Sequence, residues 1–187
     1  MKRHIEAEFL RWKERAGRKP LVLMGARQVG KTTLFDKITK GKEDVLALNC
    51  DNYDTRATLE NRTTTELRQL IGNHKMLFID EAQKVKNIGL TLKMIADLKL
   101  PVQVLVTGSA SFVLADEINE PATGRLIEHH MYPLSFGELV QHTSQMEEHR
   151  LLEQRMLYGT YPEVVTNPSD ARSILTNLSN NYLYRDL

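Results

Sequence analysis

Eight residues near the start of the chain have the types and spacing of a phosphate-binding loop. Residues 25–32 read GARQVGKT and fit the pattern G-x-x-x-x-G-K-[S/T], between an apolar run and a helical pattern. The two glycines allow successive backbone N–H groups to point at phosphate oxygens, while Lys31 can bridge the β- and γ-phosphates and Thr32 can ligate Mg²⁺. We therefore expect a nucleoside triphosphate to contact Gly25, Ala26, Arg27, Gln28, Val29, Gly30, Lys31, Thr32 and Thr33.

A pair of adjacent carboxylates further along the chain supplies groups that such a site needs. Asp80 and Glu81 follow the apolar run Met76–Ile79 directly. At the end of a strand, Asp80 can hold a hydrated Mg²⁺, and Glu81 can polarise the water that attacks the γ-phosphate. A solvated acidic turn is the alternative for the pair alone, but together with the phosphate loop it predicts triphosphate binding.

A third polar segment follows the apolar run Val102–Val106 and reads TGSAS over residues 107–111. Ligands bind at the carboxyl ends of strands in open α/β sheets, so this segment is expected near the phosphates. Thr107 or Ser109 can hydrogen-bond the attacking water or the γ-phosphate. Helix capping by Ser109 or Ser111 is the equal alternative.

The elements that must position these groups alternate between apolar runs and helical patterns, which is typical of a doubly wound α/β fold with a parallel sheet. Five strands are predicted, at residues 21–24, 45–48, 76–79, 102–106 and 126–132. Helices are predicted between them at residues 32–39, 56–71, 89–98 and 112–118.

Helical patterns flank this core on both sides. Residues 2–16 place apolar side chains at helical spacing and predict an amphipathic helix packed on the core. After Pro133 helices are predicted at residues 136–142, 147–158 and from 169 onward. We therefore expect an N-terminal helix within residues 1–19, an α/β core over 20–133 and a small helical region over 134–187.

Composition limits the class of protein. The 187 residues are 41% hydrophobic and 26% charged, as in a globular chain, and no apolar stretch is long enough to cross a membrane. A single cysteine, Cys50, suits a reducing compartment, so a cytoplasmic location is expected. Residues 1–93 hold 19 basic and 12 acidic residues, whereas residues 94–187 hold 6 and 12. Nucleotide binding, nucleic-acid binding and solvated helix faces could each use this uneven charge.

Six segments carry a resemblance to a known family: GARQVGKTT (25–33), LFIDEAQKV (77–85), LVTGSAS (105–111), TGR (123–125), YPLSFGEL (132–139) and GTYPEVV (159–165). Together they resemble the AAA-type P-loop ATPases, in particular the prokaryotic and archaeal-type group close to the STAND-like and MoxR-like branches. The resemblance implies a three-layer P-loop NTPase fold with a five-stranded parallel sheet. Members of that group usually continue into a C-terminal domain of unknown function, so a further C-terminal portion is expected.

The resemblance also implies roles for individual residues. Lys31 and Thr32 match the Walker A residues, Asp80 and Glu81 the Walker B pair, and Ser109 the first sensor. Arg125 lies where AAA-type proteins often place an arginine finger, which would act in a homo-oligomer. A structural ion pair of Arg125 with Glu128 or Glu120 is the alternative.

Three functions can be proposed from these observations, although the length of the chain argues against the third. The leading hypothesis is a Mg²⁺-dependent ATPase module that drives or gates an attached domain. The second is a regulatory switch that holds ATP or ADP with negligible turnover, and the third is a nucleic-acid-dependent motor, suggested by DEAQ at residues 80–83. ATP rather than GTP follows from the resemblance and from the lack of an N-K-x-D guanine reader. Six scattered histidines show no metal-ligand spacing.

Overall fold

A five-stranded parallel sheet forms the centre of the molecule. The computed structural model describes residues 1–14, 19–40, 44–109 and 124–183. The strands are β1 (Leu21–Met24), β2 (Val45–Asn49), β3 (Met76–Asp80), β4 (Gln103–Gly108) and β5 (Ile127–His130). Their order across the sheet is β2-β3-β4-β1-β5, and every neighbouring pair is parallel. The predicted α/β fold with five parallel strands is therefore confirmed.

Helices cover both faces of this sheet and make three layers. The helices of the core are α1 (Ile5–Glu14), α2 (Lys31–Thr39), α3 (Tyr53–Leu59), α4 (Thr64–Ile71) and α5 (Ile88–Asp97). Side chains of β1 alternate between the two faces, with Leu21 and Leu23 on one and Val22 and Met24 on the other. One apolar cluster packs α1 and α2 on the sheet, and the other packs helices α3, α4 and α5 on the opposite face.

Helix α1 is fastened to the core by its aromatic residues, as its amphipathic pattern predicts. Phe9 and Trp12 are almost fully buried in the cluster beneath the sheet. The Trp12 indole N–H donates to the Lys19 carbonyl at 2.8 Å, so its one polar atom is satisfied. On the same face Phe35 of α2 stacks on Phe78 of β3. These contacts hold the first turn of α2, where Lys31 lies, against the sheet.

The helix predicted at residues 136–142 has the predicted bounds, but the described residues after it form more and shorter helices than the sequence pattern predicts. They are α6 (Phe136–His142), α7 (Gln145–Arg150), α8 (Leu152–Tyr158), α9 (Pro162–Thr166) and α10 (Ala171–Leu183), with a 3₁₀ turn at Pro168–Asp170. The pattern at residues 147–158 predicts one helix, but the chain forms two, which meet at Leu151. The fully buried Glu148 binds Arg155 across that junction at 3.0 Å and fixes the bend.

The prediction of a single helix at residues 56–71 is also wrong, because two helices form there. The chain leaves the helix at Glu60, and Asn61 takes a left-handed conformation with φ of 53°. Thr63 then caps α4, because its hydroxyl accepts from the Glu66 N–H while the Glu66 carboxylate accepts from the Thr63 N–H. The capping box starts a new helix where apolar periodicity alone suggests continuity. The helix predicted at residues 112–118 lies outside the described residues.

Candidate functional site

The loop between β1 and α2 lies at the carboxyl edge of the sheet, as the motif requires. Gly30 has φ of 98° and Gln28 has φ of 62°, both in the left-handed region, and the Leu34 N–H donates to the Gly30 carbonyl at 2.9 Å to begin α2. Such alternation of backbone conformation turns consecutive N–H groups toward one point and makes an anion-binding concavity. The first turn of α2 adds the positive end of its dipole.

Gly25 meets a different requirement, which is space. A Cβ atom at this position would lie 2.3 Å from the Met131 carbonyl oxygen, in the segment after β5. The Met131 N–H in turn donates to the Met24 carbonyl at 2.7 Å. The start of the loop is therefore pressed against the backbone that follows β5, and only glycine fits there.

Lys31 is the first residue of α2 and is buried, with 6% of its surface exposed. Its ammonium group donates to the Gly25 and Ala26 carbonyls, both at 2.8 Å. Burial lowers the pKa of Lys31, and the nearby Glu81 and Asp80 carboxylates oppose that shift. The lysine side chain is thus held inside the loop, under the electrostatic influence of both acids.

Asp80 ends β3 and is held by three donors. Its Oδ2 accepts from the Thr32 hydroxyl at 3.2 Å, and its Oδ1 accepts from the Glu81 N–H at 3.1 Å and from the Thr107 hydroxyl. Thr107 belongs to the neighbouring β4, where it is fully buried. The parallel register brings it beside Asp80, so its hydroxyl serves the carboxylate. This contact was not expected from the sequence, which suggested a water or phosphate partner for Thr107.

Glu81 follows with φ of 53°, and this left-handed residue turns the chain out of β3 into a 3₁₀ turn at Ala82–Lys84. Its Oε2 accepts from the Gln83 side-chain amide at 2.6 Å. The Ser109 N–H donates to the other end of the same amide, Gln83 Oε1, at 3.3 Å. The sequence shows Gln83 only as part of DEAQ at residues 80–83 and does not indicate that its side chain contacts Glu81 or Ser109.

Lys31, Thr32 and Glu81 line one cavity of about 570 Å³ at the carboxyl edge of the sheet. Its walls include Glu81 and an ion pair between Lys84 and Asp51 at the rim. Three further lining residues, Pro162, Glu163 and Leu178, come from α9 and α10. The loop segment contributes Arg27, Gln28, Gly30, Lys31, Thr32 and Thr33. The helical region after the sheet therefore forms part of the same site.

Three further residues that the sequence predicts to contact the nucleotide are Val29, Ala26 and Ser109. Val29 is fully buried in the core, so the loop can present only its backbone to a ligand there. Its carbonyl accepts from the Arg3 guanidinium at 2.8 Å. Arg3 lies just before the first residue of α1, and the motif does not indicate this contact. Ala26 is half-buried beside the same cluster. Ser109 is 7% exposed at the end of β4, next to Gln83.

Arg125 is not brought to this cavity. It lies just before β5, whose first residue pairs with the start of β1 at the amino edge of the sheet. Its guanidinium forms an ion pair with Asp97, at the end of α5, at 3.1 Å. The sequence offered Glu128 and Glu120 as structural partners of Arg125. The observed partner is Asp97 rather than Glu128, and Glu120 lies outside the described residues. Within one chain Arg125 is therefore one strand length from the loop.

Within the described residues, no group of three or more histidine, cysteine, aspartate or glutamate side chains could hold a metal ion by itself. No helix within the same residues has the length and apolar character to cross a membrane.

Comparison with known proteins agrees with this geometry. The model of a family described as an AAA domain matches residues 17–140, more than half of the chain. The chain belongs to the AAA domain family. The match begins after α1, so the Arg3 contact to the loop comes from outside the matched part of this AAA domain protein.

Two curated relatives and one solved structure extend the comparison. An uncharacterized protein of Methanocaldococcus jannaschii is 30% identical over 89% of the chain, which covers 41% of that relative. One of Haemophilus influenzae is 25% identical over 89% of the chain, which covers 45% of it. This AAA domain chain thus spans less than half the length of these relatives. A Walker-type ATPase of Pyrococcus abyssi has the same fold, with a TM-score of 0.62 at 18% identity over 97% of this chain and 74% of that one.

Proposed function

We propose that this AAA domain binds ATP with Mg²⁺ and hydrolyses it to ADP and phosphate. The observation that carries the proposal is the convergence of Lys31, Thr32 and Glu81 on one cavity, with Asp80 bonded to Thr32. Sequence motifs that are 48 residues apart thereby become one site. The Walker-type ATPase of Pyrococcus abyssi, which shares the fold, is consistent with this chemistry.

The donor set fits the magnesium ion that the family implies. Mg²⁺ prefers oxygen ligands and is usually held by one or two protein groups together with substrate phosphates. The Thr32 hydroxyl and the Asp80 carboxylate lie 3.2 Å apart and supply those oxygens. When bound, the ion would neutralise charge on the β- and γ-phosphates.

The residues around that position would divide the remaining work. The backbone N–H groups of residues 25–33 cradle the phosphates, and Lys31 offsets charge on the β- and γ-phosphates. Glu81 accepts a proton from water as the water oxygen bonds to the γ-phosphorus, and the bond from that phosphorus to the β–γ bridging oxygen breaks. Ser109, at the end of β4, senses the γ-phosphate.

We also propose that nucleotide state is passed to the helical region. Pro162, Glu163 and Leu178 line the phosphate cavity although they belong to the segment after the sheet. The division into an N-terminal helix (1–19), an ATPase core (20–133) and a helical region (134–187) gives that segment the role of a lid. The length of the curated relatives supports a further domain that the lid could drive or gate.

Two substitutions test the proposed activity. Lys31→Ala should abolish binding of ATP and ADP, and Glu81→Gln should retain ATP while lowering turnover by about 100-fold or more. Lys37→Ala is the matched control, because Lys37 lies on the exposed side of the same helix and pairs with Glu6. Titration calorimetry and phosphate release measure the two effects. Undiminished hydrolysis by Glu81→Gln would show that another group is the base.

The positions of Arg125 and Arg155 favour a second candidate function, a switch that holds nucleotide with negligible turnover. Arg125 lies at the other edge of the sheet, and Arg155 of the helical region is bound to the buried Glu148. Neither is placed to offset charge in the transition state within one chain. ADP that co-purifies with the protein, together with no measurable phosphate release, would establish the switch instead of the ATPase.

A further inference from the structure

Gln83 connects two groups of the site through the two ends of its side-chain amide. Its Nε2 donates to Glu81 Oε2 at 2.6 Å, and its Oε1 accepts from the Ser109 N–H at 3.3 Å. We propose that Gln83 is a positioning residue that orients the Glu81 carboxylate and ties it to the end of β4. This inference rests on the proposed ATP hydrolysis, in which Glu81 is the base.

The backbone around Gln83 is fixed, so the bridge starts from a defined place. The Lys84 N–H donates to the Glu81 carbonyl at 3.1 Å, and the Val85 N–H donates to the Ala82 carbonyl at 3.0 Å. Ala82 and Val85 are buried in the core on either side of Gln83. The left-handed Glu81 reverses the chain, and the side chain of residue 83 returns toward that of residue 81.

An amide side chain suits both ends of this bridge. A carboxylate accepts hydrogen bonds, and a backbone N–H donates one, so the residue between them must donate at one atom and accept at the other. An amide of glutamine length does both, and the two partners together determine which end is Nε2. Glutamate at position 83 would place a second negative charge against Glu81, and lysine would have no acceptor for Ser109.

The bridge has a consequence for the base. A hydrogen bond to a carboxylate is short and strong, and it holds Glu81 in one orientation with Oε2 engaged. The other carboxylate oxygen is left to accept the proton of the attacking water. Because an error of about 1 Å in a reacting group can cost about 100-fold in rate, this orientation matters for turnover and much less for nucleotide binding.

Gln83→Met tests the role, because methionine keeps the length and bulk of glutamine without its hydrogen bonds. We expect kcat for ATP to fall by about 10- to 100-fold, with KM and ADP affinity within about twofold of the parent. Gln83→Glu should lower kcat at least as far. Gln69→Ala, an exposed glutamine on α4, is the matched control and should leave both parameters unchanged.

A double variant separates positioning from a general structural role. If Gln83 acts through Glu81, then Gln83→Met added to Glu81→Gln lowers the residual single-turnover rate no further. A parental kcat in Gln83→Met, or an equal loss in the Glu81→Gln background, would overturn the positioning role while ATP hydrolysis by Glu81 stands. Absence of hydrolysis by the parent chain would instead remove the proposed function, and the role of Gln83 with it.

Discussion

Gly25 shows how a single backbone position can decide whether the phosphate loop forms. The added Cβ of alanine would meet the Met131 carbonyl oxygen at 2.3 Å, and that oxygen belongs to the backbone and cannot rotate away as a side chain would. Relief requires the loop or the segment after β5 to move. The consequence reaches the site, because the Gly25 carbonyl is one of the two acceptors of Lys31.

We therefore predict that Gly25→Ala weakens ADP binding by at least tenfold and lowers the free energy of unfolding by about 1–3 kcal/mol, as overpacking does. Titration calorimetry and thermal denaturation measure the two quantities. Gly137→Ala is the control, because the nearest atom to its added Cβ belongs to the flexible His4 side chain, at 3.1 Å. Parental ADP affinity in Gly25→Ala would mean that the close approach does not shape the loop.

At the scale of elements, one carboxylate joins α1, the phosphate loop and α6. Glu138 is buried and accepts from the Ser135 and His4 backbone N–H groups, at 2.9 and 2.7 Å, and from the Arg3 guanidinium at 3.0 Å. The same guanidinium donates to the Val29 carbonyl of the loop. Three segments distant in sequence therefore share one ion pair.

This arrangement predicts a pH dependence of stability. Burial by itself would raise the pKa of Glu138, but hydrogen bonds from Ser135, His4 and Arg3 outweigh it and hold the pKa below its usual value of 4.5. A lowered pKa in the folded state means that the stabilisation is complete above about pH 4.5 and is lost as the pH falls through the folded-state value. The contribution of Glu138 to the free energy of unfolding should therefore be constant between about pH 5 and about pH 7.

Glu138→Gln should remove that contribution. We expect a loss of about 1–3 kcal/mol in the free energy of unfolding at pH 7, where charged hydrogen bonds are broken, and a smaller further loss below pH 4.5 than in the parent. Urea denaturation at several pH values measures both. Glu153→Gln, an exposed glutamate on α8, should change stability by less than about 0.5 kcal/mol. Equal slopes with pH for Glu138→Gln and the parent would exclude this account.

At the scale of the whole molecule, the ion pairs among the described residues leave most of the uneven charge of the sequence in place, because they form mainly within each half of the chain. Among the described residues, one ion pair of lysine or arginine with a carboxylate joins the two halves of the chain, between Arg3 and Glu138. Four other pairs stay within residues 1–93: Lys37–Glu6, Arg62–Glu66, Lys75–Asp44 and Lys84–Asp51. Much of the basic excess lies on the solvent-exposed faces of helices. Lys31 and Arg27 are the basic residues of the phosphate loop that line the cavity.

The location of Arg125 makes its catalytic role a question of assembly. Since it lies away from the cavity of its own chain, it can reach a γ-phosphate only in a second copy. The hypothesis of such a homo-oligomer predicts that Arg125→Ala lowers turnover by about 1,000-fold, as loss of an arginine finger does. It also predicts that mixing Arg125→Ala with Lys31→Ala restores part of the activity, because one variant supplies the guanidinium and the other the nucleotide.

Phosphate release by the two variants, alone and mixed, measures these effects, and Arg68→Ala serves as the exposed-arginine control. Parental turnover in Arg125→Ala, at every protein concentration, would assign the residue to its ion pair with Asp97. A rate per molecule that rises with protein concentration would support the intersubunit role.

The local sequence pattern predicted the strands and helices correctly wherever burial and apolar periodicity determine the structure. All five strands and the helix after the phosphate loop lie within two residues or so of their predicted bounds. The predictions were wrong where one polar contact interrupted an apolar period, at Thr63 with Glu66 and at Glu148 with Arg155. A capping box can be found in a sequence, but a buried ion pair cannot be told from two solvated charges before the fold is known.

The sequence by itself determined the α/β fold and named the loop and the two acids, because glycine, lysine and carboxylate spacing around apolar runs is a local property. Only the tertiary structure decided how these residues are held. Thr107 reaches Asp80 through strand register, Gln83 spans two strand ends, Arg3 reaches the loop from α1, and Arg125 lies at the opposite edge. Such contacts depend on which strands become neighbours, and strand order is set by packing of the whole chain rather than by any one segment.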